Sequence, residues 1–348
     1  MIDKKARDYL LGIPLWTKKK NTLDEVRNFL EALGNPDEQL KIIHVAGTNG
    51  KGSVCADLTA MLMEAGYHVG TFVSPHLTDV TERFLVDGCP VEEAGFSESF
   101  TRVKAVTDKL TVEGYAHPTF FEFVFLMAMD LYGRMKPDFV VLETGLGGRL
   151  DTTNVIRHPL ACVITSISLD HTQYLGDTVE LIAAEKAGII KPGSPVVSYG
   201  GVPEADAVIA RTAEEKHAPL TVVDFSRLNV EGGSLDALAF DFDGLDGIRL
   251  PLIGSYQPKN AALAITALRV LRGRGWDIPD SAIRTGLEQV SWPGRFELLR
   301  HAPAFLLDGS HNAHGMRATV QSLRDRFPGQ KFVFLLSIMA DKDVDEML

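Results

Sequence analysis

The chain has 348 residues, 45% hydrophobic and 23% charged, with a net charge of −11. That length exceeds one typical core and points to two domains. The acidic balance, with no basic run longer than Lys18-Lys19-Lys20, argues against a nucleic-acid surface.

No apolar run is long enough to span a bilayer, and no apolar stretch of signal-peptide type follows Met1. Cys55, Cys89 and Cys162 are odd in number and lack metal-ligand spacing. The expectation is a cytoplasmic protein in a reducing compartment, with no membrane partner.

In chain order, Thr22-Leu23-Asp24-Glu25 reads as a capping box opening a helix that stops at Gly34, before Pro36. Residues 41–46 form a β-branched run, a buried strand that feeds a glycine-rich turn. A helix over 53–65 closed by Gly66 follows, then a strand over 67–73. This is a βαβ unit with parallel strands. Residues 120–135 suit a buried helix, 139–142 a strand ending in Glu143, and 160–167 a strand ending near Asp170-His171. A helix over 178–188, strands over 196–199 and 220–223, and a helix over 203–217 between them continue the rhythm. Residues 228–253 alternate and carry Gly232-Gly233, which suggests hairpins of a small antiparallel sheet. Helices over 259–272 and 281–290 follow.

Trp292-Pro293-Gly294 breaks the pattern and reads as a hinge. Beyond it come a strand over 304–307, a helix over 315–327 and a strand over 332–338. The expected division is 1–294 for a first domain and 295–348 for the start of a second one. Two strands and a helix do not close a doubly wound sheet, so the second domain reads as incomplete. Weak or absent activity is expected of the chain in this form.

The strongest signal is Gly47-Thr48-Asn49-Gly50-Lys51-Gly52-Ser53, between strand and helix. Glycines let backbone N–H groups point inward, and the helix N-terminus adds partial positive charge. Lys51 can reach the β- and γ-phosphates of ATP, and Ser53 can assist a metal. The usual phosphate-loop pattern is imperfect here. Gly52 separates Lys51 from Ser53, and the upstream glycine stands too close.

Ser74, Glu143 and His171 each follow a different predicted strand, on the carboxyl edge where α/β sheets bind ligands. An acid, a histidine and a hydroxyl converging beside a phosphate loop is what a Mg²⁺ bridging ATP phosphates requires. Histidine is unusual for Mg²⁺, and a lone histidine is more often structural. Arg295, in the hinge, is suited to clamp phosphate as domains close.

The loop resembles that of folylpolyglutamate and dihydrofolate synthases, a branch of the Mur ligase superfamily. The likeness runs over essentially the whole chain. It includes Ser74-Pro75-His76-Leu77, Thr119-Phe120-Phe121-Glu122, the run from Glu143 through Gly147-Gly148-Arg149-Leu150-Asp151 to Asn154, and Ser168-Leu169-Asp170-His171. Ala184-Glu185-Lys186-Ala187-Gly188, Gln257-Pro258-Lys259-Asn260, Pro293-Gly294-Arg295-Phe296-Glu297 and Asp308-Gly309-Ser310-His311-Asn312 complete it.

The resemblance implies an α/β fold: a phosphate-loop, mostly parallel sheet flanked by helices, a small antiparallel sheet, and a second Rossmann-like domain. It assigns Ser74, Glu143 and His171 to Mg²⁺, and a CO₂ adduct on Lys186 to a second Mg²⁺. It places Asn260 against adenine, and Asp308 and His311 opposite the nucleotide. Thr119, Phe120, Phe121 and Glu122 fall where the family binds the pterin, although helical aromatics usually pack a core. Arg149 and Asp151 are further substrate-side candidates. Lys51, Lys186, His171 and Arg295 form the expected catalytic set.

The implied reaction is ATP-dependent ligation of L-glutamate to dihydropteroate or a reduced folate, through an acyl phosphate, by a monomer. A Mur-type ligase acting on a peptidoglycan precursor is the nearest rival. A nucleotide-binding protein without ligase activity is the other.

Overall fold

The computed structural model describes residues 4–14, 21–339 and 344–347. The basic run at 18–20 lies outside them. The chain opens with α1 (Lys4–Gly12) and α2 (Leu23–Ala32), the latter capped reciprocally by Thr22 and Glu25. Then follow β1 (Ile42–Ala46), α3 (Lys51–Glu64), β2 (Val69–Phe72), β3 (Phe84–Val86), β4 (Cys89–Pro90), α4 (Glu93–Val112) and α5 (Phe120–Met135). After them come β5 (Phe139–Glu143), β6 (Ala161–Ile164), the single-turn α6 (Thr172–Leu175), α7 (Val179–Ala187), β7 (Val196–Ser198), α8 (Pro203–Glu215) and β8 (Leu220–Val222).

These eight strands form one sheet in the order β4-β3-β2-β5-β1-β6-β7-β8. The β2-to-β8 part is parallel, and β3 and β4 add an antiparallel edge. Strand β1 is buried along its whole length between β5 and β6. That burial on both faces is why it reads as an unbroken apolar run. In register, Val45 lies beside Glu143, and Ala46 beside Ile164. The carboxyl ends of β1, β5 and β6 therefore emerge side by side.

A second, three-stranded antiparallel sheet is built from β9 (Leu228–Gly233), β10 (Leu238–Phe242) and β11 (Leu245–Leu250). It packs with α9 (Gln257–Arg272) and α10 (Asp280–Gln289) into the same apolar cluster as α3. On the other side of the main sheet, α2 and α5 bury a separate cluster around Phe29, Phe123 and Phe125. Helices α7 and α8 cover the β6–β7 end. Past residue 294, β12 (Glu297–His301) pairs antiparallel with β13 (Ala304–Leu307), followed by α11 (Ala313–Arg326) and α12 (Val344–Met347).

Three expectations change. Helix α3 begins at Lys51 rather than Ser53, which puts the lysine on its first turn. Helix α9 begins at Gln257 rather than 259, which puts Asn260 inside it. The strand expected over 332–338 is irregular backbone, with Val333 fully exposed. β12 and β13 pair only with each other, and an apolar run without a neighbouring strand has no ladder to join. Among the described residues, no helix is long and apolar enough to cross a membrane.

Candidate active site

The glycines of the loop are set by what surrounds them. Gly47 has φ 153° and Gly50 φ 89°. A Cβ on Gly47 would stand 1.8 Å from the Thr165 hydroxyl, and one on Gly50 2.6 Å from Asn260 Oδ1. Gly52, the residue that departs from the usual pattern, faces Trp292 of the hinge, whose Nε1 would lie 2.8 Å from an added Cβ. The loop is stitched to the segment after β6. The Thr48 N–H donates to Ser166 O (2.8 Å), and the Thr165 hydroxyl donates to Asn49 O (2.7 Å). Lys51 Nζ donates to the carbonyls of Gly47 and Thr48. The Ser53 hydroxyl accepts from Gln257 Nε2 at 3.2 Å.

This loop forms one wall of a cavity of about 2100 Å³. Ser74, Glu143, His171 and Lys186 line it, with Asn260 and, from beyond the hinge, Arg295, Asp308 and His311. Thr119, Phe120, Phe121, Arg149 and Asp151 line it as well.

The expected metal residues share this cavity. The Ser74 N–H donates to Glu143 Oε2 at 2.9 Å. Glu143 is buried, which pushes its carboxyl up; Lys51, the Ser74 N–H, Arg295 and Arg83 pull against that. Its Oε1 has no hydrogen bond among the described residues, so the pair fits a cation-binding role. His171 stands near Asp170 and His311. Each ring's Nε2 lies within 3.9 Å of Asp170 Oδ2, and the three ligand atoms lie within 4.8 Å of one another. His171 has φ 49°, a left-handed conformation that non-glycine residues adopt uncommonly.

Lys186 is buried and donates to Gly47 O at 2.7 Å. Burial, then the charge of Lys51, brings its amine down to about 7. Asn260 donates to Gln257 Oε1 (2.9 Å). Asp308 accepts from the Phe296 and Ser310 N–H groups and the Thr319 hydroxyl.

Several expected substrate-side residues have local duties. Glu122 is not among the cavity's lining residues. It is the reciprocal cap of α5, accepting the Thr119 N–H (2.8 Å) and Asn21 Nδ2 (3.0 Å). Asp151 accepts the N–H groups of Leu146 and Thr153 and so shapes the Gly147-Gly148 loop. Arg149 pairs with Glu185 at 2.6 Å.

Asn312 and Arg83 were missed as site residues. Asn312 Nδ2 donates to Asn49 Oδ1 (3.1 Å) and Asp170 Oδ2 (2.8 Å), while Asn49 Nδ2 donates back to Asn312 Oδ1 (3.3 Å). The signal for Asn312 was its place beside His311. Nothing in the sequence marked Arg83.

Residues 294–348 match the Mur ligase glutamate ligase domain family. The chain is 39% identical over 336 residues to the dihydrofolate synthase/folylpolyglutamate synthase of Bacillus subtilis, covering 94% of this chain and 78% of that protein. Mycobacterium tuberculosis folylpolyglutamate synthase complexed with ADP aligns with a TM-score of 0.90 at 31% identity, covering 99% of this chain and 78% of that one. A folylpolyglutamate synthase–AMPPCP–folate complex aligns with a TM-score of 0.86 at 32% identity, covering 93% and 80%.

Proposed function

The chain belongs to the folylpolyglutamate synthase/dihydrofolate synthase family of ATP-dependent ligases, and on that footing we propose that it joins L-glutamate to the carboxylate of dihydropteroate or a reduced folate through an acyl phosphate. One observation carries the reading. The phosphate loop, the Ser74–Glu143 pair and the low-pKa amine of Lys186 share a cavity with Arg295, Asp308 and His311 from beyond the hinge. The proposed boundary between nucleotide-binding and ligase domains lies at 294/295.

In the proposed reaction the loop N–H groups and the start of α3 receive the triphosphate. Lys51 leaves the carbonyls of Gly47 and Thr48 for phosphate oxygens, and Arg295 faces them from the second domain. Asn260 meets the adenine. Ser53, Ser74, Glu143 and His171 would hold Mg²⁺, which when bound supplies neutralising charge to the phosphates. The substrate carboxylate attacks the γ-phosphorus and ADP leaves. The neutral amine of glutamate then attacks the acyl carbon, the C–O bond to phosphate breaks, and the amine gives up a proton. Little covalent chemistry falls to the protein; alignment and charge balance do the rest. A closed second domain keeps water from the acyl phosphate.

Lys186 is proposed to add CO₂ through its neutral amine. An N–C bond forms, one proton is released, and the resulting anion faces Lys51. Thr119, Phe120 and Phe121 are proposed to line the pterin end.

The test is a product assay with ATP, Mg²⁺, L-glutamate and each pterin carboxylate in turn. Weak turnover to ADP, phosphate and a glutamylated product is expected. ATP hydrolysis stimulated by a UDP-sugar peptide, and not by dihydropteroate, would transfer the protein to another Mur-type branch.

A further inference from the structure

Two arginines of this chain are almost wholly buried, and they differ in one respect. Arg27, 5% exposed, donates both terminal nitrogens to Asp37, at 2.9 and 2.5 Å. Arg83, 7% exposed, has no such partner. It closes the turn Val80–Arg83 before β3, and its residue lines the main cavity. Its Nε donates to His76 Nδ1 at 2.8 Å, and its guanidinium lies 5.1 Å from the Phe120 ring centre. Neither terminal nitrogen has a hydrogen bond to a described residue.

The nearby acids do not fill the gap. Glu82 is spent on the N–H groups of Leu77, Thr78 and Asp79. Glu143 exerts the largest favourable charge on Arg83, yet makes no ion pair with it. A guanidinium taken out of water without an anion is costly, and burial lowers this one to about 10. The fold sustains that cost beside a cavity that Glu143, Phe120 and Phe121 also line.

We propose that Arg83 binds the carboxylate of the acceptor substrate, with its two terminal nitrogens forming a fork on the anion while Phe120 backs the guanidinium. The inference rests on the ligase reading above and names the group that positions that reaction's electrophile-to-be. A planar fork matches a carboxylate in both spacing and charge, which a lysine does not. The remaining lone pairs of the carboxylate stay free to meet the γ-phosphorus.

The experiment measures binding of dihydropteroate, and of its neutral carboxamide, in the presence of Mg²⁺ and a non-hydrolysable ATP analogue. Wild type, R83A and R83K are compared. R83A should weaken the acid by about 30-fold, the range of a charge-assisted pair, and leave the carboxamide and the nucleotide within about 3-fold. R83K should fall between, and added guanidinium ion should restore part of the R83A loss. R83A binding the acid like wild type overturns the inference, as does equal weakening of acid and carboxamide. Wild type that binds neither pterin removes the folate reading and this inference with it.

Discussion

Burial and the charge of Lys51 bring the Lys186 amine to about 7, against an ordinary value near 10.5. The sign of the consequence follows from linkage. Between about pH 7 and 10.5 the unfolded chain holds a proton that the folded one has released, so stability rises with pH across that window. Below about pH 7 the full cost of burying the cation is present. K186M should therefore melt at a higher temperature than wild type at pH 6 and flatten the slope above pH 7. The same variant should lose about 100-fold or more in ligation, since the group proposed to take up CO₂ is gone. A K186M protein that is less stable at pH 6 would show that Lys186 supports the fold rather than strains it. In wild type, ligation should fall as pH drops below about 7, because the amine then holds the proton that carbamate formation must displace.

Gly47 offers a sharper structural test. Its φ and the nearby Thr165 hydroxyl leave no room for a Cβ, so G47A should cost ATP affinity by about 100-fold through a reshaped loop. Calorimetric titration with ATP measures this, and affinity within about 3-fold of wild type would contradict the geometry.

At the scale of elements, α5 separates capping from substrate contact. Glu122 closes a capping box with Thr119 at the helix start. E122A should cost about 1 kcal/mol of stability and leave the KM for the pterin substrate unchanged. Denaturant melts and steady-state kinetics read the two effects, and a raised KM with unchanged stability would return Glu122 to the substrate side.

The same scale shows what the sequence disclosed. The β1–loop–α3 unit was legible because a buried strand, three glycines and a helix signal coincide. Helix α4 was not. Its buried stripe is Phe96, Ser99, Val103, Thr107 and Leu110, with two polar members, and its N-cap Glu92 makes no side-chain cap. It is held instead by polar contacts to α5, where Asp130 accepts from Ser99 and Arg102. Such pairings across elements leave no period in the sequence. The run over 332–338 fails for the opposite reason. It has strand composition, but strand formation depends on a neighbour that composition does not report.

For the whole molecule, the two sides of the cavity meet through a small amide clasp. Asn49 in the loop and Asn312 at the start of α11 exchange hydrogen bonds, and Asn312 also holds Asp170, the neighbour of His171. If this clasp sets the relation between loop and second domain, N49A and N312A should each lower kcat by about 10-fold. The double variant should lose less than the two single losses combined, since the two side chains share a contact. Additive losses would show that the two asparagines act separately. The missed residue Asn312 acts through partners distant in sequence, and only folding brings those together; Arg83 was hidden because its burial beside the cavity leaves no trace in composition.

The central claim is that this cavity converts a carboxylate into an acyl phosphate before an amine arrives. Ligation of dihydropteroate carrying ¹⁸O in its carboxylate, with ATP, Mg²⁺ and L-glutamate, tests that directly by mass analysis of the released phosphate. One ¹⁸O atom per amide bond formed should appear in inorganic phosphate. Unlabelled phosphate alongside glutamylated product would mean that the carboxylate oxygen never bonded to phosphorus, and the account would be wrong.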